Sequence, residues 1–130
     1  MKKVRKIFLD SDVIISALIS KKGAASWLIN ETKVKKIISN TVLVEVTSRL
    51  NELIKKNKIK IIKINKSDVK ESEQYVNDKN DAHVLAGAVK AEVTFLLSYN
   101  LKDYKLETIK RNLDIIIYRP AQYLQFFRSL

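Results

Sequence analysis

The sequence predicts an α/β domain: a parallel sheet with helices on both faces. Three observations predict it. Short runs rich in Ile, Val and Phe recur along the chain without a helical polar face, and read as strands. Segments of helical periodicity separate these runs, which argues parallel strands joined by right-handed crossovers. The 130 residues are expected to form one domain, residues 1–130, large enough to bury about two-thirds of the unfolded chain's surface without disulfides or structural metals.

Val4 to Leu9 is the first expected strand, ending at Asp10. Val13 to Ile19 is the first helix, with Gly23 as its C-cap after Lys21–Lys22. Ala24 to Thr32 is a short second helix, in which Trp27 is expected to pack in the core. Lys35 to Ser39 is the second strand. Asn40 or Thr41 then caps a long helix to about Lys56, whose apolar stripe is Val42, Val46, Leu50 and Ile54. Glu45 lies off that stripe, four residues before Arg49, its ordinary surface partner. Ile59 to Ile64 is the third strand; its alternation and its lysines suit a guarded edge. Asp68 to Val76 is a polar helix with Asp68 and Glu71 at capping-box spacing. After the turn-forming Asn77 to Asp81 comes a helix of small residues, Ala82 to Val89, expected to lie close on the sheet. Its His83, the chain's only histidine, reads as a surface or capping residue. Val93 to Ser98 and Asp114 to Tyr118 are the fourth and fifth strands, and Pro120 opens a final helix, Ala121 to Phe127.

Composition narrows the chemistry. The chain has no Cys, which excludes disulfides, thiolate metal sites and Cys nucleophiles. No apolar stretch approaches the ~20 residues of a membrane helix, and the basic N-terminus lacks an unbroken apolar run after it, so a cytoplasmic protein with no membrane association is expected. Twenty-five Lys and Arg against fourteen Asp and Glu give a net charge of +11. A domain so basic attracts polyanions, nucleic acid first among them.

The acids supply the second half of the reading. Asp10 stands where a strand meets a helix, at the sheet edge where α/β folds bind ligands, and reads either as a helix N-cap or as a carboxylate for metal or phosphate chemistry. Glu45 and Asp103 also fall just past strand ends, while Asp81 precedes its strand. Carboxylates gathered without counterions raise one another's pKa and cost stability. A hard divalent cation, Mg²⁺ or Mn²⁺, is the economical remedy, and it also activates water and polarises a phosphoryl oxygen. With a basic surface and no Gly-rich phosphate loop, this points to hydrolysis of a nucleic-acid phosphodiester.

At these residues the chain resembles a known family. Ile7–Phe8–Leu9–Asp10–Ser11–Asp12–Val13 resembles the opening motif of PIN domains, Ser39 to Val46 the second with Glu45 as its acid, Asn80 to Ala88 the third, and Leu97 to Tyr104 the fourth. The resemblance implies a three-layer sandwich around a five-stranded parallel sheet of order 3-2-1-4-5. It implies a Mg²⁺- or Mn²⁺-dependent endoribonuclease, often the toxin of a type II toxin–antitoxin pair, commonly a homodimer and inhibited by a cognate antitoxin protein. Asp10, Glu45, Asp81 and Asp103 would be its catalytic and metal-binding acids, with Ser11, Asp12, Ser98 and Asn100 supporting them by hydrogen bonds. The chain departs from the family pattern in carrying Asn100 where an Asp is frequent, Asp12 where Asn is usual, and a short stretch between Glu45 and Asp81.

Two other readings are carried forward. One is a PIN-like RNA-binding module that no longer cleaves. The other is a haloacid dehalogenase-like phosphatase, whose Asp–x–Asp motif Asp10 and Asp12 also resemble.

Overall fold

The computed structural model describes residues 5–45, 54–56 and 58–130. Strands β1 (Arg5–Leu9), β2 (Val34–Ser39), β3 (Ile59–Ile62), β4 (Phe95–Leu97) and β5 (Ile116–Tyr118) form one sheet of order β3-β2-β1-β4-β5. Every neighbouring pair is parallel. The helices are α1 (Ser11–Ile19), α2 (Ala24–Asn30), α3 (Asn40–Glu45), α4 (Lys66–Ser72), α5 (Ala82–Lys90), α6 (Leu106–Leu113) and α7 (Pro120–Arg128). The expected fold class and strand order are those observed.

The two sheet faces follow from strand alternation. Phe8 points to one face and meets α5: a Cβ added at Gly87 would lie 2.4 Å from the Phe8 ring. The small-residue helix therefore does lie close on the sheet, with Ala82, Ala86, Gly87 and Ala88 buried. The neighbouring residue Ile7 pairs in register with Phe95 on the opposite face. There the Phe95 ring packs against Tyr123 and Phe126 of α7, at centroid distances of 5.1 and 4.8 Å. Ile7, Phe8 and Leu9 are all buried, as a strand covered on both faces requires.

Several boundaries differ from expectation. Gly23 does not end α1 in a left-handed turn; it precedes α2 with φ −77°, and α1 ends at the extended Ser20. The N-terminal cap of α3 comes from Ser39, whose Oγ accepts from the Val42 N–H at 3.1 Å. Asn40 instead accepts from the Ile64 N–H, tying down the segment after β3. The capping box of α4 is Asn65 with Asp68, not Asp68 with Glu71, because Asn65 and Asp68 each accept the other's N–H at 3.0 and 2.9 Å. A 3₁₀ turn, Glu73–Tyr75, finishes that segment. Trp27 is 37% exposed rather than buried, edge-on to Phe127 and beneath the Arg128 guanidinium. Helix α6 was not foreseen, and Asp114, expected to open the fifth strand, ends this helix in the left-handed region at φ 57°. The expected helical positions 46–53, with the Glu45–Arg49 pair, lie outside the described residues. No helix among the described residues is long and apolar enough to cross a membrane.

Candidate functional site

The chain runs from β1 outward through β2 to β3, then returns to place β4 and β5 on the other side of β1. The reversal falls between β1 and β4, and the crevice beyond their carboxyl ends is the expected ligand site of such a sheet. Asp10 and Ser98 are the first residues past those two strands. The Asp10 N–H donates to the Leu97 carbonyl at 3.0 Å, continuing the ladder and pinning the two segments together.

Asp10 is 8% exposed. Its Oδ1 accepts from the Ser11 N–H at 2.7 Å, so the N-cap role is real. Its Oδ2 accepts from the Ser98 hydroxyl at 3.0 Å and faces the Tyr104 hydroxyl at 3.4 Å. The cap and the site thus use different oxygens of one carboxylate. Asp12 turns to the same crevice from the first turn of α1. Its Oδ2 accepts from the Tyr99 N–H at 3.0 Å, and the Asn100 amide lies 3.5 Å away. Its Oδ1 is buried without a hydrogen-bond partner. Burial, and then the charge of Asp10, push the Asp12 carboxyl up to about 6.

Asp81 reaches the crevice from the 3₁₀ turn Lys79–Asp81, directly before α5. Burial raises its pKa first, followed by the charges of Asp103, Asp10 and Asp78; His83 acts in the opposite sense. The lone histidine is therefore near an acid, which its sequence context did not reveal. Asp103 ends the 3₁₀ turn Leu101–Asp103, whose position Asn77 fixes by donating from its backbone to the Asp103 carbonyl at 2.8 Å and from its side chain to that of Lys102 at 2.7 Å. Tyr104, buried behind the acids, has its phenol pushed far up by burial and by Asp10, Asp81 and Asp12. Sequence reasoning assigned Tyr104 no role; its place directly after Asp103 was the available signal.

Asp10, Asp12, Asp81 and Asp103 thus share one neighbourhood. Glu45 is the last residue of α3, and its side chain lies outside those described. Among the described residues, no three His, Cys, Asp or Glu side chains close into a group able to surround an ion. The donors nonetheless fit a hard divalent cation in kind: they are carboxylate oxygens, and one of them, Asp12 Oδ1, is buried and unpaired. Mg²⁺ is commonly held by one or two carboxylates, with waters and substrate phosphates completing the shell.

Residues 6–102 match the family described as PIN domain. The fold is similar to a chain in the crystal structure of VapBC2 from Rickettsia felis bound to a DNA fragment from their promoter, with TM-score 0.56 and 15% identity, over 88% of this chain and 98% of that one. No curated protein sequence matches.

Proposed function

Because this chain belongs to the PIN domain family, we propose that it is a Mg²⁺- or Mn²⁺-dependent endoribonuclease that hydrolyses RNA phosphodiesters, acting in the cytoplasm as the toxin of a type II toxin–antitoxin pair. One observation carries the reading. Several carboxylates meet at the strand-order reversal, where burial and then neighbouring carboxylate charge raise the proton affinity of Asp12 and Asp81, in a protein of net charge +11. Repulsion of that kind is tolerated where a cation or a reacting phosphate is to be received. The likeness in fold to a chain of a VapBC2 complex supports the toxin role and with it a cognate antitoxin; a homodimeric state belongs to the same proposal.

Asp10 and Asp81 are the residues that would hold the ion, with Asp103 and Glu45 completing the acidic set directly or through water. A bound divalent ion supplies Lewis acidity toward a phosphoryl oxygen and toward the attacking water. The protein's share is orientation. Ser98 fixes Oδ2 of Asp10 by its hydroxyl, and Ser11 fixes Oδ1 by its N–H. Tyr99 and Asn100 hold Asp12 toward the crevice. Such supporting bonds set carboxylate direction and basicity. Lysines on the surrounding surface hold the RNA backbone.

Incubation of single-stranded RNA with the protein and Mn²⁺ is the test, repeated with EDTA and with Asp10→Asn. Cleavage is expected only for the unaltered protein with Mn²⁺. Cleavage that survives both changes would remove the mechanism.

A second reading has its own observation. Asn100 stands where the family often has an acid, and no described trio of side chains encloses an ion. On that reading the domain binds RNA without cutting it. Salt-sensitive RNA binding, indifferent to Mg²⁺ and yielding no products, would favour it.

A further inference from the structure

Three lysines form a row across three adjacent strands. Lys6 on β1 lies beside Lys35 on β2. Lys60 on β3 lies beside Ile37, and Ile37 shares a sheet face with Lys35 because side chains alternate. All three therefore project from one face, Lys6 and Lys35 near the starts of their strands and Lys60 diagonally beside them, level with Phe8 and two residues before Asp10 in register. Lys6 and Lys60 are exposed. The neighbouring Lys60, followed by burial and then by the charge of Lys6, holds Lys35 below the usual lysine range.

Like charges side by side across a sheet destabilise it. Edge protection accounts for Lys60, since β3 is an edge strand. It does not account for Lys6, on the central strand, or for Lys35 beside it: the ladders to β4 and β3 begin one residue later, at Ile7–Phe95 and Lys36–Ile59, and the short overhang before them is no template for another strand. Compensation of a helix C-terminus does not account for them either: α5 carries its own Lys90 in its last turn, paired with Asp68 at 3.2 Å. A repulsive row that guards nothing is explained by an anion that neutralises it.

We propose that Lys6, Lys35 and Lys60 form a second nucleic-acid contact, which holds the phosphate backbone of single-stranded RNA at a distance from the carboxylates. Neighbouring strands lie about 4.8 Å apart and Lys60 stands two residues further along, so the row spans about 12 Å, more than one phosphate and enough for successive phosphates. From Lys6 to Asp10 the sheet extends about 13 Å. A flexible single strand can bend around the domain to reach both places, whereas a stiff duplex cannot. The inference rests on the nuclease reading and adds that an RNA long enough to reach the row binds more tightly than one filling only the crevice.

The experiment measures binding of a long (about 30 nucleotides) and a short (about five) single-stranded RNA in EDTA over a range of salt. It compares the unaltered protein with K6Q/K35Q/K60Q and with the charge-matched K21Q/K22Q/K110Q. For the long RNA, the slope of log affinity against log salt should shrink by about 2 in the row variant, three contacts at about 0.7 each. The control triple should keep the original slope, and the short RNA should bind both variants alike. The row variant should melt no lower than the control, since it relieves repulsion. Equal slope losses in both triples, no loss in the row variant, a lower melting point than the control, or a loss seen on duplex DNA but not on RNA would each overturn the proposal. Cleavage of the short RNA with Mn²⁺ reads the nuclease proposal separately: its absence in the unaltered protein would overturn that reading and leave the slopes to decide the row.

Discussion

Ser98 has one hydroxyl proton and two carboxylates within reach. Asp10 Oδ2 at 3.0 Å takes it in preference to Asp12 Oδ2 at 3.4 Å, and the Ser98 oxygen accepts in turn from the Asn100 N–H at 3.1 Å. The serine therefore links the end of β4 to the acid at the end of β1. Ser98→Ala should cost about 1 kcal/mol of stability while lowering RNA cleavage roughly 10- to 100-fold, the usual penalty for losing a bond that orients a metal-binding group. Unchanged cleavage with a lowered melting point would assign Ser98 to folding alone. Asp12 gives a pH signature in metal-free protein. Its carboxyl is raised from 3.8 to about 6 on folding, so between these values the folded chain holds a proton that the unfolded chain has lost. Stability then falls as pH rises through that window and levels off above it. Denaturation in EDTA at pH 4 and pH 7 should show Asp12→Asn losing less stability over this interval than the unaltered protein. Equal losses would contradict the burial and repulsion seen at Asp12.

Helix α5 shows what a single missing side chain does for an element. At Gly87 an added Cβ would sit 2.4 and 2.6 Å from atoms of the fully buried Phe8 ring and 3.3 Å from Ser39 Cβ. Gly87→Ala should destabilise by about 1–3 kcal/mol through overpacking, outweighing the better helix propensity of alanine. Adding Phe8→Leu should recover part of that loss, so that the double variant is more stable than the sum of the single changes predicts. Strict additivity, measured by urea denaturation, would show that ring and helix are not in contact. This close approach was legible in the sequence from the run of Ala and Gly. The strands were legible from their apolar runs, and their order from the resemblance to PIN domains. Helix α6 was not. Its stripe, Leu106, Ile109 and Leu113, is short, only Ile109 is fully buried, and the rest of the segment is polar. The capping of α4 was misplaced for a related reason. Asn65 with Asp68 and Asp68 with Glu71 have the same spacing, and only the backbone path decides which pair bonds.

Across the molecule, charge is divided by position along the strands. Carboxylates gather beyond the strand ends at the β1–β4 reversal, and a diagonal row of lysines crosses β1, β2 and β3 before those ends. Asp10 and Asp103 were legible from their places just past strand ends, whereas Asp81, which precedes its strand, joined them only through the resemblance to PIN domains. The place of Tyr104 was not legible, because it depends on how a 3₁₀ turn is set in space. The proposed chemistry requires these acids to receive one divalent ion. A crystal soaked in Mn²⁺, with data collected at an energy where manganese scatters anomalously, shows whether they do. An anomalous peak is expected in the crevice, with carboxylate oxygens of Asp10 and Asp81 at about 2.1 Å, close to the octahedral Mg²⁺ distance. Full manganese occupancy elsewhere on the surface, with none between Asp10 and Asp81, would contradict it.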